Sequence, residues 1–147
     1  METNDAGINL IKEFEGLRLK AYQDVAGIWT IGHGHIRTAI QGMEISIERA
    51  EELLKGDLKA TEEGVTRALG DVPTTPHQFS AMVALAFNIG VNAFKGSTVL
   101  REHKAGNHQA AASAFLMWDK ATINGKLQPV AGLARRRESE RQLYLTA

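Results

Sequence analysis

The sequence predicts an α+β fold: a small N-terminal lobe with a short antiparallel β-sheet, a long bridging helix, and a mostly α-helical C-terminal lobe. Three observations lead there. A glycine-rich, strand-like run lies between Leu17 and Gly42, a three-to-four apolar spacing marks the stretch from Ile47 to Leu69, and an almost wholly apolar helical pattern follows a capping box at Thr75. At 147 residues the chain fits one domain, with lobes at about 1–45 and 71–147 and residues 46–70 forming the bridge.

The first element is a short amphipathic helix. Ile8, Ile11 and Phe14 recur at helical spacing between Asp5, read as the N-cap, and Gly16, read as the stop. Glu15 follows Phe14 in the last turn, at the margin of the apolar face. Tyr22, Val25, Ile28, Trp29, Ile31 and Ile36 then lie among Gly27, Gly32, Gly34 and Gly42, the pattern of short strands and tight turns.

Ser46 caps a helix carrying Ile47, Ala50, Leu54, Leu58, Val65 and Leu69 on one stripe. Some 24 residues would span roughly 36 Å. Its charged middle, Lys55 to Arg67, suits a helix crossing solvent between two cores. Thr75-Pro76-His77-Gln78 has capping-box form, and Phe79, Met82, Val83, Leu85, Ala86, Phe87 and Ile89 make the helix after it a buried one. Further helices are predicted at Ser97 to Ala105, Asn107 to Trp118 and Val130 to Leu145, confining the sheet to the first third.

Composition excludes several functions. Lys+Arg and Asp+Glu both number 17, so no global field draws the chain to nucleic acid or anionic membranes. Without cysteine there is neither a disulfide framework nor a thiolate metal site. Met1 to Gly7 lacks the basic start and apolar run of a signal peptide, so a substrate beyond the inner membrane implies either another agent, such as a holin-type pore, to release the protein or an export segment removed ahead of this sequence.

Glu15 and Asp24 are the candidate chemistry. Hydrolysis of a glycosidic bond needs an acid to protonate the leaving oxygen and a second polar group to place water or stabilise the cationic centre. Glu15, beside Phe14, is expected to be partly desolvated and to keep its proton; Asp24, in a polar turn, is expected to stay ionised. Eight residues separate Glu15 from Asp24 and five separate Asp24 from Thr30, a path through one hairpin that can bring the three to one rim.

The stretch FEGLRLKAYQDVAGIWTIGHGH, residues 14–35, resembles the signature of the phage lysozymes and endolysins of glycoside hydrolase family 24. AFNIGVNAFKGSTVL and GLARRRESERQLY extend the resemblance over nearly the whole chain. It implies the two-lobed fold and a muramidase, which hydrolyses the β-1,4 bond between N-acetylmuramic acid and N-acetylglucosamine in peptidoglycan without a cofactor or metal. It assigns Glu15 as general acid, Asp24 as second carboxylate and Thr30 as the hydroxyl holding the attacking water, with inversion at the anomeric carbon. It also places Ile36, Phe87 and Ser97 along the sugar cleft, pairs His35 with Asp57, and sets Arg136 against Glu15. The implied protein is a monomer made in the host cytoplasm and released to the wall, with no nucleic-acid partner and no stable membrane insertion.

Several residues have more than one reading. His35 could be a base or a ligand, but no second donor stands at a metal spacing, which favours a structural role. His33 departs from the family pattern, in which Tyr or an apolar residue is usual; it either alters packing under the hairpin or reshapes the cleft beside Thr30. Arg135, Arg136 and Arg137 spread around a helix and alternate with Glu138 and Glu140, so they do not form a nucleic-acid face. Trp29 and Trp118 can stack on sugars, although their apolar periodicity favours burial, and Met43, Met82 and Met117 read as core. Two other functions are compatible with a glycan cleft: a lytic transglycosylase, for which Asp24 and Thr30 are surplus, and a wall-binding module, which needs neither carboxylate.

Overall fold

The structure, a computed structural model, describes all residues from 1 to 147. Its elements are α1 (Asp5–Glu15), β1 (Arg18–Gln23), β2 (Trp29–Gly32), α2 (Ile47–Leu69), α3 (Pro76–Ile89), α4 (Val91–Lys95), α5 (Thr98–Lys104), α6 (His108–Phe115), β3 (Lys120–Ile123), β4 (Lys126–Pro129) and α7 (Ala131–Leu145). The expected α+β class is present. Contacts divide the chain into two compact units, residues 11–60 and residues 1–10 with 61–147.

In the sheet-bearing unit, β1 and β2 pair antiparallel with Tyr22 opposite Thr30 and Gln23 opposite Trp29. Residues 43–45 flank β1, since the Ala21 amide donates to the Met43 carbonyl and the Ile45 amide to the Leu19 carbonyl, both at 2.9 Å. The core is the apolar face of α1 and of the first half of α2 against β2: Ile11, Ile31, Ala50, Leu54 and Leu58 are buried. Lys12 donates to Glu51 at 2.7 Å, tying α1 to α2 near the exit of α1. This hydrogen bond, with the attraction of the Lys12 and Lys55 ammoniums, holds the Glu51 carboxyl below its ordinary pKa.

The helical unit is centred on α3, whose residues 78–86 are all buried. The capping box is complete: Thr75 Oγ1 accepts from the Gln78 amide at 3.1 Å, and Gln78 Oε1 accepts from the Thr75 amide at 2.9 Å. Against α3 packs α7, while α5, α6 and α7 enclose Val99, Leu100, Ala111, Phe115 and Tyr144.

The first ten residues belong to this helical unit. The Thr3 amide and hydroxyl both donate to Glu62 at 2.6 Å, and the Asn4 amide donates to Ser80 Oγ at 2.9 Å. The cap of α1 is Asn4, whose Oδ1 accepts from the Gly7 amide at 3.0 Å, and Asp5 is the first helical residue. The sheet is not confined to the first third, because β3 and β4 form a second antiparallel hairpin. Their two-residue turn, Asn124-Gly125, has φ of 51° and 77°, the doubly left-handed geometry that such turns require. The helix expected to reach Trp118 ends at Phe115, and Met117 is 62% exposed rather than core, whereas Trp29 and Trp118 are half-buried.

Candidate active site

Glu15 is the last residue of α1, and its placement follows from how that helix stops. The Gly16 amide closes the final turn on the Lys12 carbonyl at 3.0 Å, and the chain then leaves in a left-handed conformation, φ 76°. The Glu15 side chain is half-buried. Gly34 lies against it: a Cβ on Gly34 would come within 3.2 Å of Glu15 Oε1, with φ 81°. The stretch that continues from β2 therefore lies against the carboxyl, which a side chain at position 34 would push aside by a few tenths of an ångström.

Asp24 and Thr30 are organised by one residue, Ile28. Asp24 begins the turn between β1 and β2, where its Oδ1 accepts from the amides of Ala26 at 2.8 Å and Ile28 at 2.9 Å. On the other side of the same residue, Thr30 Oγ1 donates to the Ile28 carbonyl at 3.1 Å. The turn is closed by backbone bonds from Asp24 to the Ile28 carbonyl and from Gly27 to the Asp24 carbonyl, each 2.9 Å. Asp24 thus keeps Oδ2 outside the turn's bonds. Thr30, buried at 5% exposure, has spent its hydroxyl proton on Ile28 and presents only lone pairs to anything else.

His35 and Asp57 come together as expected. His35 Nδ1 lies 3.0 and 2.8 Å from the two Asp57 oxygens. At the other ring nitrogen, Nε2, the Thr38 hydroxyl lies at 2.7 Å and the Thr38 amide at 3.2 Å. The contact is a hydrogen bond from the imidazole to the carboxylate, and it ties the loop after β2 to α2. No group of three or more His, Cys, Asp or Glu side chains is arranged to hold a metal ion.

The remaining predicted residues have these surroundings. Ile36 is 52% exposed. Phe87 is half-buried on α3. Ser97 is buried, and its hydroxyl caps α5, accepting from the Leu100 amide at 3.2 Å while donating to the Phe94 carbonyl at 2.7 Å. Arg136 is 4% exposed; its Nε donates to Glu140 at 3.1 Å and its Nη2 to the Ala84 carbonyl at 3.1 Å.

Sequence reasoning did not anticipate two features. Glu140 is fully buried between Arg136 and Arg137, whose Nη1 donates to it at 2.7 Å. Burial pushes the Glu140 carboxyl above its ordinary pKa, against the pull of both guanidiniums. His33 is the other. Its ring is 4% exposed and Nδ1 lies 2.6 Å from the Gly16 carbonyl oxygen. The signal was present, since a polar ring between two glycines in an otherwise apolar strand end needs a partner.

Glu15 at a helix end and Asp24 and Thr30 on the hairpin belong to one small α+β unit. The family model for phage lysozyme matches residues 12–140, and the chain belongs to the phage lysozyme family. It is 42% identical over 147 residues to an endolysin of Acyrthosiphon pisum secondary endosymbiont phage 1, covering the whole of both chains. It is 46% identical to an endolysin of Bacillus phage B103, of which it spans 55%. Among solved structures it is similar to the endolysin from Escherichia coli O157:H7 phage FAHEc1, with a TM-score of 0.94 at 42% identity, over 99% of this chain and 94% of that one.

Proposed function

We propose that the chain is an endolysin-type muramidase that hydrolyses the β-1,4 bond between N-acetylmuramic acid and N-acetylglucosamine in bacterial peptidoglycan. Membership of the phage lysozyme family supports the substrate class. Glu15 protonates the bridging oxygen, and Asp24 and Thr30 place the water that attacks the anomeric carbon.

The observation that carries the reading is that Ile28 anchors both side chains, its amide donating to Asp24 and its carbonyl accepting from Thr30. A nucleophilic water must direct its lone pair at carbon, so both of its protons need acceptors. Asp24 Oδ2 is one, and Thr30 Oγ1, with its own proton committed to the Ile28 carbonyl, is the other. Because Asp24 Oδ1 is held by two turn amides, the carboxylate cannot rotate without breaking the turn. Inversion requires roughly 6.5 to 9.5 Å between the carboxyl groups to admit that water. Ile36, 52% exposed in the same unit as Glu15, belongs to the proposal as a sugar-facing residue.

No helix is long and apolar enough to cross a membrane. The proposed protein acts as a monomer on the cell wall of its host. Clearing of outer-membrane-stripped cells by the parent and by Glu15→Gln tests the reading directly. The expected loss is about 10²- to 10⁴-fold, and equal clearing by both proteins rejects it in favour of a wall-binding role. Reducing-end analysis of the digest separates the chemistry: free reducing ends are expected, and anhydro ends reassign the enzyme as a transglycosylase.

A further inference from the structure

We propose that His33 is a positioning residue for Glu15, acting through the carbonyl group of Gly16; the inference rests on reading Glu15 as the general acid. A carbonyl oxygen only accepts, so at 2.6 Å the His33 Nδ1 carries the hydrogen and donates it. The other ring nitrogen, Nε2, is buried and has no hydrogen-bond partner. The imidazole is therefore committed to one bond. Burying a polar ring with one nitrogen unsatisfied is unfavourable, and an apolar side chain would fill the same space without that penalty. What the imidazole adds is a donor aimed at one peptide group.

That peptide group joins Gly16 to Leu17, one residue past Glu15. Gly16 has left the helical ladder, with φ 76°, so the intrahelical bonds that orient earlier carbonyls do not orient this one. Without a donor the Gly16–Leu17 plane is free to turn about Gly16, and the exit of α1 on which Glu15 stands loosens with it. His33 fixes the plane from behind. Its neighbour Gly34 meets the Glu15 carboxyl from the front, since a Cβ there would be 3.2 Å from Oε1. One dipeptide thus grips the acid at its backbone and at its tip.

The test compares parent, His33→Phe, His33→Asn and Glu15→Gln by steady-state turnover of purified peptidoglycan. Phe keeps a flat ring and loses the donor, whereas the Asn side-chain amide keeps a donor close to the Nδ1 position. The proposal expects His33→Phe to lower kcat about tenfold with KM within about twofold, and His33→Asn to restore most of it, because misplacing a catalytic group costs rate more than binding. Unchanged kcat in His33→Phe, or an equal fall in Phe and Asn variants, while Glu15→Gln remains inactive, overturns the positioning role alone. An active Glu15→Gln removes the general acid and the positioning role with it. Should His33→Phe fail to fold, imidazole ¹⁵N shifts of the parent decide: the proposal requires a proton on Nδ1, and a ring protonated only at Nε2 overturns it.

Discussion

Gly34 and Asp24 carry the sharpest consequences at the scale of single residues. An alanine at position 34 meets two obstacles, a left-handed backbone with φ 81° and a methyl group 3.2 Å from Glu15 Oε1. The backbone strain alone costs about 1–2 kcal/mol, so Gly34→Ala should lower the melting temperature, and displacement of the carboxyl should lower turnover further. A Gly34→Ala protein with parental turnover would show that Glu15 does not depend on this contact. Asp24 separates structure from chemistry more cleanly. In Asp24→Asn the side chain keeps an oxygen that can accept from the Ala26 and Ile28 amides, so the turn survives. Stability is expected within about 0.5 kcal/mol of the parent, while activity falls by about 10²-fold or more as the water loses its charged acceptor. Unaltered lysis by Asp24→Asn would remove the second carboxylate from the mechanism.

Individual elements differ in how plainly the sequence announces them, for physical reasons. The first two helices and α3 each bury one stripe or a whole surface, so apolar period and caps mark them. The hairpin of β3 and β4 buries no residue on either face, and a strand without a buried face has no alternation to read; only Asn124-Gly125 announced it. The five residues of α4 are too few for a period. Within the candidate site, spacing and resemblance marked Glu15, Asp24 and Thr30, but the part played by Ile28 is a matter of backbone groups and has no side-chain signature. Closing the chain, α7 inverts the usual pattern, since its buried positions are Arg136, Arg137, Glu140 and Tyr144. Charges that read as a solvated face are an internal network: Arg137 also donates to the Trp118 carbonyl at 2.8 Å and to Asn88. Glu140→Gln takes the shared carboxylate away from the two buried guanidiniums, and a loss of about 3–5 kcal/mol is expected in denaturant unfolding. A change below about 1 kcal/mol would mean that the arginines find other partners.

The whole molecule carries no net charge, so its stability responds to pH through particular groups rather than through overall repulsion. His103 is the group to watch. It is fully buried and connects three segments of the helical unit: Nε2 is 2.9 Å from Thr74 Oγ1, and Nδ1 is 2.6 Å from the Tyr144 hydroxyl. Thr74 donates its own proton to the Val72 carbonyl at 3.1 Å, so it accepts from Nε2–H, and Tyr144 donates to Nδ1. The ring is thus neutral. Burial first, and then the nearby His108, stacked at 5.3 Å, lower its pKa below the ordinary value of 6.5. Burial likewise pushes the Tyr144 phenol up to about 12, so it remains a donor throughout the neutral range. With the folded pKa depressed, the unfolded chain takes up a proton first as pH falls. The stabilisation is complete above pH 6.5 and is lost progressively from there down to the folded pKa, at no more than about 1.4 kcal/mol per pH unit. Melting temperatures measured from pH 7.5 downward should therefore fall below pH 6.5 in the parent and less steeply in His103→Gln, whose amide can both donate and accept but cannot titrate. His108→Ala removes the second cause and should narrow the window from its acid side. Parallel curves for parent and His103→Gln would assign the acid sensitivity to other groups.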